Sequence, residues 1–219
     1  MGKYFSMYAN NEKSAKRILW PIAGAVLFLF FYWMAIIHYP GGSQADKASH
    51  GFSWVHNYWC NLLNETAING TPNTGRLYAL AGMLVLCASL CWFWYCFAIY
   101  IPLKKTHRVG MQVSAVSSTG IAFFIFTGLH DIIIIIAALC AMLALAGTLL
   151  GLYKMKWWGL FAFGIFNLVM VTVNNILYYG GDLLYLPVVQ KITFGSFLLW
   201  ICFISLKQFQ SVYNNDVAE

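Results

Sequence analysis

The chain has 219 residues, of which 61% are hydrophobic and 9% charged, with a mean hydropathy of +0.68. Soluble domains carry about 25% charged residues, so a chain this apolar could not be wetted all round, and a polytopic membrane protein is the default reading. The formal net charge of +6 does not indicate a nucleic-acid partner, because the basic residues sit in short segments between apolar runs, with no basic stripe interleaved with aromatics.

Residues 1–17 are polar, with Lys3, Lys13, Lys16 and Arg17 ahead of the first apolar run, 18–37. That run has the length of a membrane span, for which about 20 residues are needed. It is too long for the core of a secretory signal and ends in HYPGG, without a small-x-small cleavage site. Pro21 falls in its first turn, where a missing N–H costs little. Further apolar runs cover 77–101, 109–128, 132–153, 157–179 and 188–206. The expected fold is therefore all-α: six transmembrane helices in a single membrane domain over 1–219. A long first outer loop, 38–76, is expected to carry a short amphipathic helix.

The connectors set the expected orientation. Ten of the thirteen Lys and Arg residues lie in the N-terminal tail, the 102–108 and 154–156 connectors and the C-terminal tail, whereas only Lys47, Arg76 and Lys191 lie on the other side. By the positive-inside rule both termini are cytoplasmic, in the cell membrane, and the 38–76 loop, the His130-Asp131 turn and the Asp182 turn face outward. Five of the six cysteines lie in apolar runs and only Cys60 lies in the loop, so no structural disulfide is expected. Gly147 and Gly151, following Ala137, Ala141 and Ala144, form a small-residue face for close helix packing, and Ser114, Ser117 and Ser118 form another.

Ionisable residues collect on the outer side: His38, His50, His56 and His130, with Asp46, Glu65, Asp131 and Asp182. Imidazoles and carboxylates on one surface can bind a divalent cation or move protons. His130 and Asp131 stand in a tight turn between apolar runs and are the catalytic candidates if the protein is an enzyme; a helix cap explains Asp131 equally well. Within 52–63, Phe52, Val55, Trp59, Leu62 and Leu63 share one helical face and Ser53, Asn57, Asn61 and Asn64 the other. This predicts a short helix on the outer leaflet, or a lid over the helix ends. Asn167, Asn174, Asn175 and Tyr178 form a polar stripe on the fifth helix that should face the bundle. Asn64-Glu65-Thr66 and Asn69-Gly70-Thr71 fit the N-glycosylation pattern.

The layout of YPGGS (Tyr39 to Ser43) after the first helix, an aromatic segment, and Pro72-Asn73 ahead of Arg76 resembles a bacterial family of uncharacterised six-helix membrane proteins. That family is related to the DRAM, FRAG and SFK-like proteins. The resemblance implies membrane-lipid biology, with eukaryotic relatives linked to lipid-anchor remodelling, lipid asymmetry and autophagy; it supplies no catalytic residues.

Three readings follow. The leading one is a membrane-organising protein with an outer polar pocket for a lipid or small ligand, lined by His56, Trp59, Asn174, Asn175 and Tyr178 together with His130 and Asp131. In the second, a metal-dependent hydrolase acts on a lipid at the outer leaflet, with zinc held by His50, His56 and His130 and Asp131 or Asp46 as base. The third is an accessory subunit of a larger membrane complex, docking a membrane-protein partner through the CWFWYCF stretch, 91–97.

Overall fold

The computed structural model describes residues 15–127, 129–181 and 184–216, without the side chains of His130, Asp131 and residues 214–216. Six helices are long and apolar enough to cross a membrane: α1 Trp20–Ile37, α2 Arg76–Tyr100, α3 Lys105–Ala122, α4 His130–Lys154, α5 Trp158–Gly180 and α6 Leu186–Asp216. Tighter 3-10 turns precede α1 at Arg17–Leu19 and extend α3 at Phe123–Phe126. No strand occurs among the described residues; only two antiparallel backbone bridges form, Gly41 with His50 and Thr66 with Pro72.

Two helices differ in extent from the apolar runs. The α3 helix begins four residues before the predicted 109, because Lys104 is extended after Pro102 and the basic KTHR segment then turns at once into helix. The α6 helix runs ten residues past the predicted 206. Its polar extension is held by packing: Gln208 is buried and donates to the Cys96 carbonyl at 3.2 Å, and Val212 is buried with Ala15 and Ile18. Gly128, the last residue of the third predicted run, and Asp182 and Leu183, in the last predicted turn, lie outside the described residues.

The fold resolves into two compact units, with α1, α2, α5 and α6 each contributing to both. The first comprises residues up to 25, 86–164 and from 199 onward. Here Gly147 lies against Met111 of α3 and Gly151 against Ile101 at the end of α2, each leaving about 3.0 Å for an added Cβ. Ser118 donates to the Ala137 carbonyl at 2.9 Å, and Trp94 donates to Thr148 Oγ1 at 3.1 Å. The small residues of α3 and α4 are thus internal packing surfaces. Most of the 91–97 stretch is also internal, with Phe93, Trp94, Cys96 and Phe97 buried and Tyr95 the one clearly exposed member. That leaves little of it as a docking face.

The second unit comprises residues 26–85 and 165–198. The N-terminal turn of α2 lies against α1: a Cβ on Gly75 would sit 2.4 Å from the Ala35 carbonyl oxygen, so only glycine permits this approach. Residues 38–75 join the two helices and are built mainly from side-chain-to-backbone hydrogen bonds.

Candidate functional site

The predicted helix at 52–63 is a correction. Only Trp59–Leu63 is helical, as a 3-10 turn, and the expected faces are partly inverted. Asn57 and Asn61 are buried, whereas Trp54 and Val55 are exposed by 50% and 52%. The reason lies in the asparagines, whose short amides compete with helical hydrogen bonds. Asn57 Oδ1 accepts from the Ser53 amide at 2.7 Å while its Nδ2 donates to the Gly42 carbonyl at 2.8 Å. Asn61 Oδ1 accepts from the Tyr58 amide at 2.7 Å.

The residues that carry the family resemblance are staples of the same kind. Gly42 has φ +82° and stands where a Cβ would lie 2.3 Å from the Asn69 backbone nitrogen. Buried Asn73 donates from Nδ2 to the Leu62 and Asn64 carbonyls, both at 3.0 Å, and accepts from the Gly75 amide. Arg76 donates from Nε to the Leu63 carbonyl and pairs with Glu65 at 2.9 Å. Tyr39, also buried, accepts from the Ile68 amide at 3.1 Å. Burial pushes its phenol above the ordinary range, and the Ile68 amide only partly offsets this.

This segment is anchored on α6. Lys191 donates to the Asn57 carbonyl and, at 2.9 Å, to the Pro187 carbonyl, with its ammonium 5.6 Å from the centre of the Phe52 ring. Gln190 Oε1 accepts from the Trp59 amide at 3.2 Å. The Trp59 indole is enclosed by Phe194, Tyr32 and Phe28, at ring separations of 5.2, 5.5 and 5.9 Å. Phe28 lies nine residues before the end of α1, about 13 Å along the helix axis at 1.5 Å per residue. The segment therefore enters the helix unit instead of resting on it. Within that enclosure the Trp59 Nε1–H is buried and has no acceptor among the described residues.

Cys60 keeps some surface, yet burial pushes its thiol above the ordinary range; a hydrogen bond with Gln190 and the charge of Lys191 act in the opposite sense. Burial likewise raises the Tyr58 phenol, reinforced by Cys60 and Tyr178 nearby. The site thus holds neutral hydroxyl and thiol groups beside one cation.

The remaining predicted site residues divide. Asn174 Nδ2 donates to Thr193 Oγ1 and to the Met170 carbonyl, and buried Asn167 accepts from Ser196 at 2.8 Å, so both join α5 to α6. Asn175 and Tyr178 are exposed, and Asn175 donates to the Val171 carbonyl of its own helix. His56 Nδ1 is 3.4 Å from Ser53 Oγ. His50 is exposed and bridges Gly41 through its backbone. His38 Nδ1 bonds the Met34 carbonyl at 2.8 Å. The side chains of His130 and Asp131 lie outside the described residues, although their backbone opens α4. Among the described residues no three His, Cys, Asp or Glu side chains gather as a metal-binding group.

Lys191 and Gln190 are the members of this cluster that sequence reasoning missed. In the sequence Lys191 bears only on orientation, and the one signal it offers is a lysine a turn inside an apolar run, where an ammonium needs a partner. Compared with protein-family models, curated proteins and solved structures, the chain matches none.

Proposed function

We propose that the protein is a multi-pass membrane protein that holds a lipid or small amphipathic ligand at Trp59, in a membrane-organising role. The supporting observation is the buried Trp59 indole N–H, a donor with no acceptor among the described residues, enclosed by three aromatic rings. A buried unpaired donor costs about 1–3 kcal/mol, and an ester or amide oxygen of a ligand would satisfy it while acyl carbons met the rings. His56, Asn175 and Tyr178 belong to the same unit and supply polar surface for a headgroup; Asn174 acts indirectly, by joining α5 to α6. The resemblance to a family linked to membrane-lipid biology agrees with this reading. So does an orientation in the cell membrane with both termini cytoplasmic and residues 38–75 outside.

The test is native mass spectrometry of the full-length protein in mild detergent. Trp59→Phe keeps the ring and removes the donor, so the wild type should carry a lipid that the variant loses while remaining helical by circular dichroism. Equal lipid loading of both proteins would overturn the assignment to Trp59, and a lipid-free wild type would overturn the reading.

A further inference from the structure

The first unit carries a second surface, built from different residues. Several contacts bring its polar helix ends together. Ala15, Ile18 and Val212 form a buried cluster against which Tyr100 and Phe209 pack. Tyr100 in turn meets Trp157 at 5.9 Å, and Trp92 donates its indole N–H to the Arg17 carbonyl at 2.8 Å. The start of α1, the end of α2, the start of α5 and the end of α6 therefore share one end of this unit. Cations surround it: Arg17, Lys104, Lys105, Lys154 and Lys156 are all exposed.

No Asp or Glu with a described side chain falls in the unit, against eight Lys and Arg residues. Counting Glu12, Asp216 and Glu219 against it by sequence still leaves the cations in excess. Asp131 is the second residue of α4, whose 25 residues place it about 35 Å along the axis from Lys154.

Exposed aromatics accompany the cations within a single helical turn. Trp20 follows Arg17 by three residues and Trp158 follows Lys156 by two, and these indoles are 55% and 52% exposed. Tryptophan concentrates at the boundary between acyl chains and headgroups, so a cation within a helical turn of it stands at the depth of the lipid phosphates. A soluble acidic partner would account for the lysines but not for large apolar rings kept uncovered beside them.

We infer that this end of the unit selects anionic phospholipids, binding their phosphate headgroups through Arg17, Lys104, Lys105, Lys154 and Lys156 while Trp20 and Trp158 seat the glycerol region. This requires only that the helices span a membrane, and it is independent of any ligand at Trp59.

The full-length protein in phosphatidylcholine bilayers, probed by electron spin resonance with spin-labelled phosphatidylglycerol and spin-labelled phosphatidylcholine, tests it. Wild type should favour the anionic probe by roughly three-fold or more, as expected for several cations near a membrane surface. The preference should decline towards one in about 1 M salt, and should be lost when Lys104, Lys105, Lys154 and Lys156 are all changed to Gln. Equal association of the two probes with wild type, or an unchanged preference in the fourfold variant, would overturn the inference. Should that variant not fold, the salt titration of wild type decides alone, and a salt-insensitive preference overturns it. Binding of an acidic peptide by the detergent-solubilised protein, with no anionic-lipid preference in bilayers, would overturn it in favour of a protein partner.

Discussion

Lys191 donates a hydrogen bond to the main-chain carbonyl of Asn57, 134 residues earlier in the chain. One ammonium thus ties α6 to the middle of the segment that joins α1 to α2, and the Phe52 ring covers it. Lys191→Met keeps the hydrocarbon stem and removes the donor. Hydrogen bonds to charged groups contribute about 1.5–3 kcal/mol each, so we expect a lower thermal midpoint in detergent and faster hydrogen exchange at 52–63, with α3 and α4 unchanged. Unaltered exchange at 52–63 would show that the tie is dispensable.

Asn73 directs one amide at three carbonyls, those of Leu62 and Asn64 at 3.0 Å and that of Asn61 at 3.5 Å. In Asn73→Ala, Leu62 and Asn64 lose their donor, at about 1–3 kcal/mol for each carbonyl left unpaired. Asn73→Asp retains an acceptor for the Gly75 amide but, ionised at neutral pH, cannot donate, so it should rescue little of the stability lost in the alanine variant. Full rescue by aspartate would locate the stabilisation in the Gly75 contact.

Gly42 and Gly70 share a left-handed conformation, φ +82° and +83°, but not their surroundings. The left-handed region costs an L-residue about 1–2 kcal/mol, and that should be the whole effect of Gly70→Ala, where nothing lies within 4 Å. Gly42→Ala adds a clash with the Asn69 backbone and should be clearly worse. Matched thermal unfolding of the two variants makes the comparison.

The Cys60 thiol is held protonated by burial. Because its folded pKa is raised, any stability linked to it is present below the unfolded thiol pKa and is lost as pH rises through the folded one. Maleimide should therefore label Cys60 slowly at neutral pH in the folded protein and rapidly once it is unfolded. Rapid labelling of the folded protein at pH 7 would contradict this.

Orientation is open to direct measurement. With a membrane-impermeant maleimide on intact cells, Asp46→Cys should label without permeabilisation and Lys105→Cys only after it. The reverse pattern would invert the proposed sidedness.

The six helices were legible because hydrocarbon length alone specifies them, and their observed bounds stay within a few residues of the apolar runs except at α3 and α6. The C-terminal extension of α6 was not, since Lys207 and Gln208 read as a polar tail until Gln208 meets the Cys96 carbonyl. Periodicity failed at 52–63 because it treats asparagine as a surface residue, whereas Asn57 and Asn61 turn inward to hold backbone groups. The sequence points to Trp59 as a ligand contact, but its enclosure depends on Phe28, Tyr32 and Phe194, whose convergence no local pattern encodes.

The hydroxyl of Thr74 donates to the His38 carbonyl at 2.7 Å, beside the point where Gly75 meets Ala35. The 38–75 segment consequently departs from the helices and rejoins them at a single clasped junction. Between those two positions the segment is fastened again, by Trp59 among Phe28, Tyr32 and Phe194 and by Lys191 on the Asn57 carbonyl. A graft at the exposed residues 44–48 can therefore alter what the protein meets at its surface while the helices keep their packing, whereas a graft at 52–63 would pull on them.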